Sequence, residues 1–235
     1  MISISYLSAR FSALAVVALM FIPCLHAEEA GSSQGTLGAS EPLRPPSRLT
    51  IFPYLGASLF ELKGDIGTSK ASLNQRGMGG IGIEVGKGRV RFESGLGVLQ
   101  SGTAGNGKAG ILPFNFQLRS NFITLPLLAK IHFFSDTFSS AFLKLGFTAA
   151  YLVQSDFEVA ALGRNATEDV RNKANNYDWL LTAGFGGRFY LSQSWDWILD
   201  TTFYRGQVDA TKADGKSVYQ GFTLSTGLAY RLPDE

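Results

Sequence analysis

The sequence predicts an all-β fold, an eight-stranded antiparallel up-and-down transmembrane β-barrel. Three observations predict it. From residue 50 onward apolar and polar residues alternate with a period of two, the alternating segments number eight, and the segments between them are alternately long and tight. A period of two is the repeat of a strand with one apolar face. Long and tight connections in alternation are typical of a barrel whose two ends differ.

The composition narrows the class of protein. The chain has 235 residues, of which 45% are hydrophobic and 17% charged, below the roughly 25% charged residues of a soluble domain. This apolar content excludes disorder for most of the chain. The formal net charge of +2 argues against a nucleic-acid partner, because such proteins carry basic surfaces.

The first 27 residues are predicted to be a signal peptide. Arg10 is followed by an apolar run over residues 11–25 and then by a small-residue cleavage site ending at Ala27, which is the layout of a secretory leader. The run is shorter than the roughly 20 residues of a membrane helix, although an uncleaved anchor stays open. Cys24 is the only cysteine, so the mature chain is expected to have no disulfide.

The remaining chain is expected to form a linker and one domain. Residues 28–49 are rich in Gly, Ser and Pro and predict a flexible periplasmic linker, and residues 50–235 are assigned to the barrel. The predicted strands are 50–62, 79–85, 89–101, 116–134, 141–156, 178–191, 195–206 and 219–232. The predicted long loops are 63–78, 102–115, 157–177 and 207–218. Most of these strands have about nine residues or more, enough to cross a bilayer at a tilt.

Charge decides which strand face meets lipid. Along residues 195–206, Trp197 and Leu199 share one face, whereas Asp196 and Asp200 share the other. A Lys or Arg that faces lipid near the middle of a bilayer costs about 2–4 kcal/mol, so the charged face is expected to point inward. The charged residues on this face, here called the lumen network, are Glu84, Arg91, Glu93, Lys130, Lys144, Arg188, Asp196, Asp200 and Arg231. The opposite charges are expected to pair inside a barrel filled by side chains.

A soluble lipocalin-like barrel would show the same alternation turned inside out, with an apolar lumen for a ligand. Aromatic residues at the ends of the strands favour the membrane version, because transmembrane barrels carry aromatic girdles at both interfaces. Examples are Trp195, Trp197 and Tyr230 at the tight-turn end and Trp179 and Phe222 at the other.

Chemical motifs are sparse. His132 is the only histidine beyond the leader, and its nearest hydroxyl in sequence is that of Ser135, where no lipid-hydrolysing pair is expected. Asp196 and Asp200 share a face, but we expect them to pair with Arg188 and Arg231 rather than to act as an acid–base pair. The run at 77–82 fits G-x-G-x-x-G but is followed by a strand pattern instead of a helix. No catalytic residue, cofactor or metal site is predicted.

Two segments resemble known sequences. Residues 225–232 are similar to the C-terminal assembly signal of bacterial outer-membrane barrels through Ser225, Gly227, Tyr230 and Leu232, although the chain continues for three residues. Residues 122–130 are similar to the central strand of PorT-like proteins in the outer-membrane β-barrel superfamily. The resemblance implies an eight-stranded barrel in the outer membrane, usually without an assigned activity. Pro126 in this segment predicts a local bulge.

The sequence therefore predicts a non-enzymatic outer-membrane protein of a Gram-negative bacterium, with a structural or interaction role through its extracellular loops. The expected partners are outer-membrane lipid, the barrel-assembly machinery and an extracellular partner at loop 157–177. An outer-membrane enzyme that modifies lipid and a soluble ligand-binding barrel stay open as alternatives.

Overall fold

A computed structural model describes residues 49–64, 70–109, 112–135, 138–161, 164–212 and 217–233. The predicted signal peptide, 1–27, and all but the last residue of the predicted linker, 28–49, lie outside the described residues. No helix in the described part of the chain is long and apolar enough to span a membrane.

Eight strands form a closed antiparallel ring, which confirms the predicted fold. The described strands are β1 (Leu49–Gly64), β2 (Lys70–Val85), β3 (Val90–Ala109), β4 (Leu112–Ser135), β5 (Ser139–Ala161), β6 (Arg164–Asp169), β7 (Tyr177–Tyr190), β8 (Trp195–Gly206) and β9 (Ser217–Arg231). Sequential neighbours pair around the ring, and β1 closes it by pairing with β9. The short β6 lies outside the ring, where it pairs with the end of β5.

The tight turns fall at one end of the ring, here called the tight-turn end. The β2–β3 turn shows why glycine is required there. Gly86 and Gly88 have φ angles of 135° and 89°, values that a residue with a Cβ rarely adopts. The sequence places a glycine at both positions, and the chain reverses within four residues.

The predicted long loops 63–78 and 102–115 are wrong in large part. The strand β2 begins at Lys70, β3 continues to Ala109 and β4 begins at Leu112, so much of both segments is paired strand. Likewise, segment 157–177 contains the end of β5, all of β6 and a single 3-10 turn at Arg171–Lys173. These strand ends rise beyond the apolar belt described next. Both of their faces can then meet water or polar groups, so the alternation that predicts a strand disappears while the backbone pairing continues.

An apolar belt surrounds the ring. Its outward side chains include Leu55, Phe92 and Leu145, which are 68%, 66% and 62% exposed. On β9 the belt extends from Phe222 to Tyr230, about 26 Å along the strand and about 20 Å in height at a tilt of about 40°. This exposure excludes the lipocalin-like alternative, whose apolar side chains would face inward.

Away from the tight-turn end, the belt gives way to polar outward side chains. The next outward residues are polar on seven of the eight ring strands, and we call them the polar ring: Glu61, Gln75, Gln100, Asn121, Gln154, Arg205 and Gln220. Neighbouring members are paired across strands, as in Gln100–Asn121–Gln154. Such an abrupt change from apolar to polar side chains marks the boundary between hydrocarbon and water.

The lumen contains two layers. The layer nearer the tight-turn end holds the lumen network. The other layer is an apolar core that includes Phe60, Leu99, Phe122, Leu152, Leu180 and Tyr219. A cavity of about 30 Å³ lies beside Tyr54, Lys144 and Tyr204, with room for about one water molecule. The described lumen is therefore packed with side chains, as eight strands require.

Two segments, one around Ala174 and one around Ala210, cover the apolar core. Ala174 forms an isolated β-bridge with Thr211, and the Asn175 side chain donates a hydrogen bond of 2.7 Å to the Asp209 carbonyl. The buried Asp178 carboxylate accepts hydrogen bonds from two backbone amides of the β8–β9 connection. These contacts fix both segments across the mouth of the barrel.

The bulge predicted at Pro126 is wrong. The residue stays in register with Thr148 on β5, and the β3–β4 ladder resumes in the same register after a two-residue interruption. The interruption follows from the missing N–H of proline, which removes one ladder hydrogen bond without adding a residue. The register shifts between β4 and β5 lie instead at Asn121 and Phe122, where Val153 is the extra residue of β5, and between Phe133 and Ser135.

Candidate functional site in the lumen

Glu84 is the centre of the lumen network. Its carboxylate accepts hydrogen bonds from the Arg91 and Arg188 guanidinium groups, each at 2.8 Å, and from the Lys130 ammonium at 2.9 Å. The Nε2 atom of His132 lies 3.5 Å from the same carboxylate. Glu84 is only 1% exposed, so its charge is compensated by these partners and not by water.

A second branch starts at Lys130. Its ammonium also contacts the Glu93 carboxylate, and Glu93 lies 3.9 Å from Lys144 Nζ. The Lys144 ammonium then donates a hydrogen bond of 2.7 Å to Asp200. The Thr202 hydroxyl donates to the second Asp200 oxygen at 3.0 Å. This branch crosses the lumen from β4 to β8.

A third branch runs through Asp196. One of its oxygens lies 3.6 Å from Arg188 Nη1 and 3.3 Å from Arg231 Nε. Arg231 also donates a hydrogen bond of 2.8 Å to the Ser192 carbonyl in the β7–β8 turn. The branch therefore connects the last strand of the ring with the tight-turn end.

The three branches form one continuous set of ion pairs that contains all nine residues predicted from strand parity. Its members come from every ring strand except β1. That strand contributes Phe52, whose ring centroid lies 5.3 Å from Lys130 Nζ, while the Phe142 ring lies 4.4 Å from the same atom. The network thus connects the barrel wall across its interior.

Glycines on the inner wall make room for these side chains. A Cβ atom at Gly184 would approach Lys144 Cε to 2.8 Å, and one at Gly186 would approach the Cβ of Asp200 to 2.7 Å. Real Cβ atoms essentially never show such distances, so a side chain at either position would push the network out of place.

The predicted pairing is wrong in one respect. Asp196 contacts both Arg188 and Arg231, as the sequence predicts, whereas Asp200 pairs with Lys144. Parity assigns a residue to a face but not to a height across the barrel, so it could not choose between Lys144 and Arg188. The contact between His132 and Glu84 was not predicted. His132 lies two residues after Lys130 on the same strand, so its side chain also faces the lumen.

Within the described residues, His132 lies against a carboxylate rather than beside a hydroxyl or thiol nucleophile. The carboxylate nearest to His132 is already bound by three cations, and the Ser135 side chain lies outside the described side chains. No group of three or more His, Cys, Asp or Glu side chains in the described part of the chain could hold a metal ion. The glycine run at 77–82 lies within β2, so no helix follows it to bind a phosphate.

Three of the four residues of the assembly-signal resemblance lie in β9. The Ser225 side chain faces the lumen, whereas Tyr230 faces outward and lies 5.0 Å from Trp195 between ring centroids. Leu232 follows the strand, and its backbone amide donates to the Leu49 carbonyl at 3.0 Å. These residues therefore lie where the first and last strands close the ring.

A closed ring with an apolar exterior and an ionic interior defines the transmembrane β-barrel class. The family model described as "Outer membrane protein beta-barrel domain" matches residues 41–210, and the chain belongs to this family. Membership indicates the bacterial outer membrane. Short turns of such barrels face the periplasm, so the tight-turn end is the periplasmic end.

Solved structures of similar fold include other outer-membrane barrels. Neisserial surface protein A (NspA) is 13% identical, with 80% of this chain and 100% of that chain covered and a TM-score of 0.44. OprG from Pseudomonas aeruginosa is 9% identical, with 82% and 99% covered and a TM-score of 0.46. Ail of Yersinia pestis is 12% identical, with 78% and 98% covered and a TM-score of 0.37. None of the proteins with curated descriptions matches the chain.

Glu84→Gln tests the energetic role of the network. The amide would leave Lys130 and Arg188 buried without a full counter-charge, so we expect a loss of about 3–5 kcal/mol in the free energy of unfolding. The measurement is a denaturant titration of the barrel folded into lipid vesicles. The matched control is Glu168→Gln, which removes an exposed ion pair with Lys173 and should cost at most about 1 kcal/mol. Equal losses in the two variants would contradict a structural role of the network.

Proposed function

We propose that this protein is a non-enzymatic, non-conducting outer-membrane barrel that acts through its extracellular face. The observation that carries the proposal is the filled lumen. The lumen network occupies the periplasmic layer, the apolar core occupies the layer above it, and the segments around Ala174 and Ala210 cover that core. A barrel packed in this way supplies a rigid support rather than a pore.

The extracellular strand ends support an interaction role. The ends of β3, β4 and β5 continue beyond the polar ring and join β6 in one sheet. Phe114, Phe116 and Phe157 form a cluster on this sheet, with ring centroids about 6 Å apart. The strand β6 pairs with β5 and is the last strand in the order of the described sheet. Its residues 165–169 are exposed. An edge strand of this kind can accept another chain, so segment 157–177 is the proposed contact for a partner.

Three narrower proposals rest on the sequence. Within the wider family, residues 122–130 favour a PorT-like barrel. Residues 1–27 are proposed to direct export and to be removed near Ala27, and residues 28–49 to form the periplasmic linker. The strand that ends in Tyr230 and Leu232 is proposed to engage the barrel-assembly machinery. A lipid-modifying activity is not favoured, because His132 lies against a carboxylate that is bound by cations.

Conductance tests the filled lumen. The folded barrel, inserted into planar bilayers, is expected to show no discrete current steps across the physiological range of voltage, because the ion pairs around Glu84 and the apolar core fill the described part of the lumen. A barrel with a large aqueous lumen inserted under the same conditions shows that the assay detects channels. Reproducible open steps from the wild-type barrel would contradict the proposal.

Photo-cross-linking tests the interaction role. A photoreactive amino acid at Thr167, which is exposed on β6, should yield a cross-linked species of higher mass on intact cells, because this strand is the last one in the order of the described sheet. The matched control carries the same group at Gln75 in the polar ring, away from β6. Cross-linking at both positions with equal yield, or at neither, would contradict a partner site at segment 157–177.

A further inference from the structure

An apolar groove lies in the outer wall of the barrel. Its volume is about 780 Å³, and its lining includes Ile81, Phe92, Leu96, Leu127, Ala129 and Leu145. These residues belong to β2, β3, β4 and β5 and lie in the half of the apolar belt nearer the periplasmic end. A groove of this volume is within the roughly 300–1,000 Å³ of sites that hold a small ligand.

The groove is concave because two small outward residues lie among large ones. Ser94 is paired with Leu127, and Ala129 is paired with Phe92. The flanking Phe92 and Leu96 project strongly, at 66% and 62% exposure. The wall is therefore recessed along the β3–β4 seam, and since the recess lies within the belt, its occupant must be apolar.

A cationic turn lies directly below the groove. Val85 lines the groove, and the next four residues form the β2–β3 turn, in which Lys87 and Arg89 are exposed. The turn is fixed, because the Arg89 carbonyl accepts a hydrogen bond of 2.7 Å from the His132 amide. Because the turn directly follows Val85, the last outward residue of the belt on β2, it places both exposed cations at the periplasmic membrane surface.

We propose that the groove and this turn together bind an anionic phospholipid of the periplasmic leaflet. The acyl chain lies in the recess between Phe92 and Leu145, and the phosphate lies against Lys87 and Arg89. The charge of the turn selects the anionic lipid, because each Lys or Arg near a membrane surface contributes attraction to anionic headgroups. A second copy of this chain would supply an apolar surface but no phosphate for the two cations.

The test uses a phospholipid with a photoreactive acyl chain. The full mature chain is reconstituted into phosphatidylcholine vesicles that contain a trace of photoreactive phosphatidylglycerol or, in the other arm, photoreactive phosphatidylcholine. We expect cross-links to concentrate on residues 81–96 and 127–145, with a higher yield for phosphatidylglycerol. Replacing one cation by Gln should lower this preference about fivefold, and Lys87→Gln with Arg89→Gln about 25-fold.

Two further variants keep the test decisive. Ser94→Leu with Ala129→Leu fills the recess and should abolish the localised cross-links of both lipids. Lys63→Gln with Arg205→Gln removes two exposed cations at the extracellular end and should change neither arm. A heat-dependent gel shift confirms that each variant is folded. The proposal would be overturned by any of three results. Cross-links could spread evenly around all strands, the lipid preference could stay unchanged in the Lys87 and Arg89 variants, or protein dimers could be cross-linked through this wall. The result is independent of conductance and of any partner at segment 157–177.

Discussion

Hydrocarbon solvates neither peptide groups nor ionic side chains, and this constraint determines the structure. Every backbone donor and acceptor in the belt must find a partner within the sheet, so the sheet must close. Every Lys and Arg at the height of the belt must face inward, so the alternation along a strand determines which residues line the lumen. The ring closed by β1 and β9 and the network centred on Glu84 are two consequences of the same solvent.

The small radius of an eight-stranded ring makes these consequences depend on each other. Since nine charged residues share a narrow lumen, the charge of each must be compensated by the opposite charges of its neighbours. Arg188 and Glu84, 104 positions apart in the chain, meet through one hydrogen bond. Interactions of this range form only after the chain has closed a large loop. The network therefore stabilises the completed ring rather than any single hairpin, and glycines such as Gly184 are needed to fit it inside.

The sequence was sufficient for the face of each strand and insufficient for its ends. Asp196 and Asp200 could be assigned inward because the belt imposes a period of two. The ends of β3 and β4 could not be predicted, because residues beyond the polar ring obey no such period. The ion pairs across the lumen, such as Lys144 with Asp200, could not be predicted either. They depend on the height of each side chain in the barrel, which is set by the register between strands. The role proposed for the turn at Lys87 could not be predicted either, because the groove above it is formed by four strands together.

Spin-label accessibility along β8 tests the central claim most directly. Single cysteines at successive positions from Trp197 to Phe203 can be labelled after Cys24, the one cysteine of the sequence, is replaced by Ser, with the barrel in lipid vesicles. The account predicts that oxygen, which partitions into hydrocarbon, reaches labels at the odd positions, including Leu199 and Phe203, far more than labels at the even positions. Oxygen access that peaks at the even positions, or that lacks a period of two, would contradict it.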